Sequence, residues 1–347
     1  MAFIDTDTIG TQNRITVDTP TYYKDFECRA GDCEDTCCKG KNVFVPDATY
    51  FKMLTVREDF GEELRAAIEK SEGEAYIQFN DEQVCPFLSS CGRCRIQEEM
   101  DASLMPKECI EKPRSIVRVG EYEQRDLSLL CPESGRLLFN RDEEFDNDTE
   151  EISVEVDPEE RKLAFFETDY LDAIVDLRDR LIAVMGNDDI PFAKRLSLLK
   201  TVLASANDGV LEDADLSIPE IELEDILNEL ADLKSGEKRF YYLIGDIRNY
   251  GNEKITDPAV LSDLEFYMGR LMCYYIYHYA VCAFFDGDIS YEINIIYKSI
   301  RFLYAAFAAC YAKNGSFSDA DAIRIASIYA RHIETEKGNE NHLKCIY

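Results

Sequence analysis

Cys28, Cys33, Cys37 and Cys38 follow one another as C-x4-C-x3-C-C, and Cys85, Cys91, Cys94, Cys109 and Cys131 come after them. Nine of the thirteen cysteines therefore fall between residues 28 and 131. Thiolates this dense are bridged to one another or to a metal. Soft thiolates select zinc, copper(I) or iron–sulfur clusters. Cys91-Gly-Arg-Cys94 alone has the C-x2-C spacing of a zinc knuckle. Adjacent residues on a helix or strand point apart, so Cys37 and Cys38 can serve different centres. Nine thiols suffice for two four-cysteine sites with one left over. The three histidines, His278, His332 and His342, all lie in the other half of the chain, which weighs against a mixed Cys2His2 site. Neither the C-x3-C-x2-C run of radical S-adenosylmethionine enzymes nor the bacterial ferredoxin run occurs. Spacing alone leaves zinc and iron–sulfur open. Cys273, Cys282 and Cys310 sit in apolar helical stretches and read as small buried hydrophobes, and Cys345 as a free thiol.

Other chemistry is less clearly signalled. No glycine-rich phosphate loop, G-x-G-x-x-G or serine elbow is present. Asp286-Gly287-Asp288 reads as a polar turn with glycine at positive φ. Arg331 and Glu334, three apart on a helix, read as a surface ion pair. Tyr274, Tyr275, Tyr277 and Tyr279 read as interhelical packing, with an aromatic cage for a cationic group as the sharper alternative.

The elements that would position these residues divide the chain into three. Residues 1–140 form a cysteine-rich, loop-rich region behind a loose leader at 1–20. It has extended pieces at 42–45 and 75–79, a helix over 47–70, and short helices at 96–100 and 132–139. Residues 141–160 hold eleven acids in twenty and read as a solvated linker or surface insertion. Residues 161–347 are helical, as Leu163, Phe166, Tyr170, Ile174 and Leu177 show by their three-and-four spacing. Further helices are expected over 192–205, 219–234, 257–285, 291–312 and 318–336. The last opens with Ser318-Asp-Ala-Asp321, an acidic capping box, and ends near Gly338. The fold class expected is mainly α.

The net charge of −31 argues against nucleic acid and against an anionic membrane surface, since both need Lys and Arg. The charge reads first as solvation or a high-salt habitat, with a basic partner segment drawn in electrostatically as the sharper alternative. No basic-then-apolar leader is visible, and the most apolar run, 266–285, is interrupted by Arg270 and His278, so a buried helix is expected rather than a membrane span. A cytoplasmic location follows, where persistent disulfides are rare.

Several segments resemble the flagellin lysine-N-methylase family. They are Tyr22-Tyr-Lys-Asp-Phe-Glu-Cys28, Cys33-Glu-Asp-Thr-Cys37-Cys38-Lys-Gly40, Cys85-Pro-Phe-Leu, Cys94-Arg-Ile-Gln, Cys109 with Lys112-Pro113-Arg114, and Ser128-Leu-Leu-Cys131-Pro-Glu. Lys112 stands where that family usually has tyrosine. Phe285-Asp-Gly-Asp288 and Tyr329-Ala-Arg331-His-Ile-Glu334 resemble its helical segments. The resemblance implies a protein methyltransferase that moves a methyl group from S-adenosylmethionine to lysines of flagellin or another lysine-bearing protein. It also implies an iron–sulfur cluster of the 4Fe-4S type held among Cys28, Cys33, Cys37, Cys38, Cys85, Cys94, Cys109 and Cys131. Cys91 falls outside that pattern. Methyl transfer to an amine needs the amine neutral, and the candidate bases are Asp286, Asp288, Glu292, Glu334 and the tyrosine hydroxyls of 274–279. The alternative is an iron–sulfur or zinc protein that binds or transfers electrons without methyl chemistry.

Overall fold

The computed structural model describes residues 13–154 and 168–334, apart from 41, 58, 72, 101, 207–210, 212–215, 219, 234–236 and 252. Gly338, His342 and Cys345, and the predicted helical residues Leu163 and Phe166, lie outside the described residues, as does the leader before residue 13.

The protein is mainly α. The first half carries more strand than expected. β1 (Asn13–Pro20) is followed by β2 (Val43–Val45), α1 (Asp47–Thr55), α2 (Asp59–Ala67), β3 (Ile68–Ser71) and β4 (Glu74–Ile77). Then come α3 (Arg95–Glu99), α4 (Lys107–Glu111), β5 (Arg114–Val119), β6 (Tyr122–Leu127), α5 (Pro132–Leu138) and β7 (Asn147–Val154). From residue 168 the described elements are all helices. They are α6 (Thr168–Met185), α7 (Phe192–Ser205), α8 (Leu223–Asp232), α9 (Lys238–Tyr250), α10 (Pro258–Ala280), α11 (Ala283–Asp286), α12 (Ile289–Asn314) and α13 (Asp319–Glu334).

Local chemistry accounts for several boundaries. Asp257 caps α10 by accepting from the Ala259 amide at 2.9 Å, and Pro258 opens the helix where no N–H is needed. Ser318 and Asp321 form the expected reciprocal box at α13: Asp321 accepts from the Ser318 amide at 3.2 Å, and Ser318 Oγ accepts from the Asp321 amide at 3.4 Å. The helix expected over 47–70 is instead two helices and a strand. The chain turns extended at Val56, and Arg65 holds that corner by donating to the Val56 carbonyl at 2.7 Å.

The segment read as a loose leader supplies β1, one of the two inner strands of a four-stranded sheet in the order β5-β6-β1-β7. β1 runs parallel to β6 and antiparallel to β7. The acidic run is thus an edge strand over 147–154, not a free linker, and residues 155–160 lie outside the described residues. Its exposed carboxylates suit an edge, where charge discourages further pairing.

The apolar residues also divide differently from the expected boundaries. Ile15 and Val17 of β1 are buried, and Val117, Val119 and Leu127 of β5 and β6 share one core with α6–α13. Only Val43 to Leu104 form a separate small core, around the sheet β2-β4-β3. Fully buried Arg178 on α6 fastens the large sheet to the helices. It reaches Asp18 on β1 at 2.5 Å, Gln124 on β6 at 2.6 Å and the Tyr122 hydroxyl at 2.7 Å. Residues 267–280 of α10 are buried throughout. Among the described residues only α12 is long and apolar enough to cross a membrane, and most of that stretch is packed inside the protein.

Candidate thiol centre and cleft

Apart from Cys109 in α4, the eight cysteines lie in loops or as the residue preceding a helix. They fall into two sets. In the first, Cys33 stands within electrostatic reach of Cys28 and Cys37, and Cys131 within reach of Cys37 and Cys33. In the second, Cys38 stands within electrostatic reach of Cys85 and Cys94, and Cys109 within reach of the same two, while Cys85 is also within reach of Cys37 of the first set. Backbone pairing builds the second set: the Cys85 amide donates to the Cys38 carbonyl at 3.0 Å, and Leu88 bridges Cys94. Cys85, Cys94 and Cys109 rest on the small core, whereas Cys131 rests on the large one.

The sets meet at the adjacent pair. Cys37 donates to the Cys38 sulfur, which holds Cys38 below its ordinary value and Cys37 far above. For Cys37 the hydrogen bond to Cys38 is the larger cause, and burial of the sulfur adds to it. Burial pushes Cys85 up to about 11 and Cys109 up to about 12, and raises Cys33 and Cys131 as well. A metal binding these thiols must displace their protons.

The residues fit a soft metal in donor type: eight thiols, with no histidine among them. Among the described residues, no three Cys, His, Asp or Glu side chains converge closely enough to hold an ion as they stand. Ligation would draw the thiols inward, and their placement in loops permits this.

Cys91 is exposed, with its sulfur 3.1 Å from Ser89 Oγ. Its loop packs on Gly31, where a Cβ would stand 2.5 Å from the Cys91 carbonyl oxygen, so only glycine fits at that position. Cys273, Cys282 and Cys310 are buried in the helical core. Burial raises Cys273 to about 12.

A cleft of about 880 Å3 opens beside the first set. Glu34 and Asp35, between Cys33 and Cys37, line it together with Pro132, Arg136, Arg239 and Arg324. Arg136 pairs with Glu34, and Arg239 pairs with Asp35 at 2.9 Å. A recess of about 290 Å3 shares Asp35 and Arg239 and reaches Lys39 and Arg331.

The candidate bases are placed elsewhere. Asp288 caps α12 through the Ser290 and Tyr291 amides at 3.0 and 3.2 Å, after a turn in which Gly287 has φ of 69°. Glu292 is buried in α12. Glu334 is buried and accepts from Ser128 Oγ. Burial raises its carboxyl. Arg331 and Glu334 are therefore not a surface pair: Arg331 is also buried and turns toward the cysteine loops. Tyr274, Tyr275, Tyr277 and Tyr279 are at most 2% exposed and are packing residues, not a cage open to a ligand. Tyr274 accepts from the Leu129 amide at 3.2 Å. Periodicity does not mark Arg136, Arg239 or Arg331 as belonging to this site, because the contacts that tie them to the cysteine loops, Glu34, Asp35 and Leu130, lie about a hundred or more residues away.

Searches against family models, curated proteins and solved structures find nothing that matches this chain.

Proposed function

We propose that this chain is a cytoplasmic, S-adenosylmethionine-dependent protein lysine methyltransferase with a thiolate-held iron–sulfur centre, 4Fe-4S in type, acting on flagellin or another lysine-bearing protein. The observation that carries the metal reading is the division of eight thiols into two fours joined at Cys37–Cys38, with the first four beside the cleft. The methyl chemistry is supported by the sequence resemblance.

In this reading the cleft receives the reactants. Glu34 and Asp35 are the carboxylates that a lysine ammonium meets on the wall nearest the first set. Arg136 and Arg239, which line the same cleft, pair with those carboxylates and hold them in place. Fixing the amine in line with the sulfonium methyl provides much of the rate, because positioning replaces a bimolecular encounter. A bound cluster supplies a staple for loops that lack a large core, or an iron for the amino and carboxyl groups of the methyl donor. Zinc at the same thiols would supply the staple alone.

Anaerobic purification with iron, zinc and acid-labile sulfide analysis tests the centre. Labelled S-adenosylmethionine with flagellin from the same source tests the activity. About four irons per chain with sulfide, and label on flagellin lysines, are expected. An intact cluster with no transfer would refute the methyltransferase assignment.

A second reading is a metal-binding or electron-transfer protein without methyl chemistry. It is favoured by the burial or capping roles of Asp288, Glu292 and Glu334, none of which lines the cleft. Tight binding of S-adenosylmethionine in a calorimetric titration would remove it.

A further inference from the structure

We infer that Arg331 is a positioning residue for the first thiol set: it locks the loop carrying Cys33 and Cys37 to the loop carrying Cys131. The inference rests on the metal reading above and assigns that set its second layer.

The two loops are about a hundred residues apart in sequence, and one guanidinium grips both main chains. Arg331 Nε donates to the Leu130 carbonyl at 3.1 Å, immediately before Cys131. Nη2 donates to the Asp35 carbonyl at 2.5 Å and Nη1 to the Thr36 carbonyl at 3.3 Å, both between Cys33 and Cys37. Nε also lies 3.6 Å from the Asp35 carboxylate. One turn earlier on α13, Ser327 Oγ donates to the same Leu130 carbonyl at 2.9 Å. The grip is thus fixed to a buried helix of the large core.

Two other bridges cross the same gap, Arg136–Glu34 and Arg29–Glu133. In each, one side chain is about half exposed or more (67% for Glu34, 49% for Arg29), and exposed ion pairs contribute little. Arg331 is only 7% exposed, and its acceptors are loop carbonyls that need a donor. A planar fork with five donors can span two segments at once, whereas an ammonium on a flexible stem cannot hold both.

The second set offers an internal control. Cys85, Cys94 and Cys109 rest on the small core, and Cys38 is tied to Cys85 by backbone, so neither tie involves Arg331. Losing the grip should separate Cys131 from Cys33 and Cys37 and leave the other four thiols in place.

The test uses the reduced full-length chain titrated anaerobically with cadmium(II). Thiolate-to-metal charge-transfer absorption counts the equivalents bound. Iodoacetamide labelling with mass spectrometry shows which cysteines the metal shields. Wild type should shield both sets. Arg331→Gln should weaken the first set about 10- to 100-fold, the range seen when groups behind metal ligands are removed. Cys28, Cys33, Cys37 and Cys131 should become labelled while Cys38, Cys85, Cys94 and Cys109 stay shielded. Arg331→Lys, which keeps the charge, should behave like Arg331→Gln. Unchanged shielding of the first set in Arg331→Gln overturns the inference. So does equal loss from both sets, which marks a general structural role, or full rescue by lysine. A wild type that shields no cysteine refutes the metal reading itself, and the inference falls with it.

Discussion

Replacing Arg178 by methionine should cost about 3–5 kcal/mol, the penalty for leaving a buried ion without its partner. Its side chain is 0% exposed and that of Asp18 is 4% exposed, with 2.5 Å between Nη2 and the carboxylate. Methionine fills much of the volume, so little of the loss is cavity. Asp18 keeps Asn147 at 2.7 Å and the Tyr122 hydroxyl at 3.1 Å, so its hydrogen bonds survive in part while its charge does not. Gln124 Oε1 loses its 2.6 Å donor, and Tyr277 loses the guanidinium 4.8 Å from its ring. Denaturant unfolding of wild type, Arg178→Met, Asp18→Asn and the double variant gives the coupling. The double variant leaves neither charge of this pair buried, so it should recover about 2–3 kcal/mol of the single loss, within the range found for residues in one network. An Arg178→Met cost under about 1 kcal/mol, or additive single effects, would show that the sheet is not fastened to the helices through this pair.

Other consequences can be checked more quickly. Cys37→Ser should release metal from the first thiol set and Cys38→Ser from the second, each dropping one equivalent of cadmium, and an identical outcome would refute the division. Cys310→Ser, in the helical core away from the sets, should change unfolding by about 1 kcal/mol or less and leave metal content unchanged, as metal analysis would show. Burial pulls His278 down, but its 2.8 Å contact with Asp126 and the nearby Glu334 more than offset this and raise it. A raised histidine stabilises fully below its unfolded value of about 6.5 and loses that contribution as pH climbs through the folded value. Raised Glu334 acts in the same sense. Buried His332 is lowered and acts oppositely, but only below about 6.5. Wild-type unfolding free energy should therefore fall as pH rises above about 6.5, and His278→Gln should flatten that slope. A slope unchanged by the substitution would refute the assignment.

Local signals in the chain determined much of the helical half. The 192–205 helix, the Asp257-Pro258 start, the Ser318–Asp321 box and the buried 267–280 run are set by periodicity and by caps within a few residues, so they are visible in the sequence. The α9 signal was also present, since Phe240, Leu243, Ile244 and Ile247 repeat at three and four. The density of thiols was visible too, along with the possibility that Cys37 and Cys38 serve different centres. What tertiary structure alone decided is pairing across distance. Strand β1 is a polar eight-residue segment whose role depends on β6 and β7, more than a hundred residues on. The acidic run becomes an edge because β1 offers it a register, which no local pattern encodes. Cys85, Cys94 and Cys109 rest on the small core and Cys131 on the large one, and Arg331, two hundred residues further along, ties the loop of Cys131 to that of Cys33 and Cys37. Helices announce themselves because their contacts are near neighbours. Sheets, clefts and gathered thiols depend on contacts between distant residues, whose partners the sequence does not name.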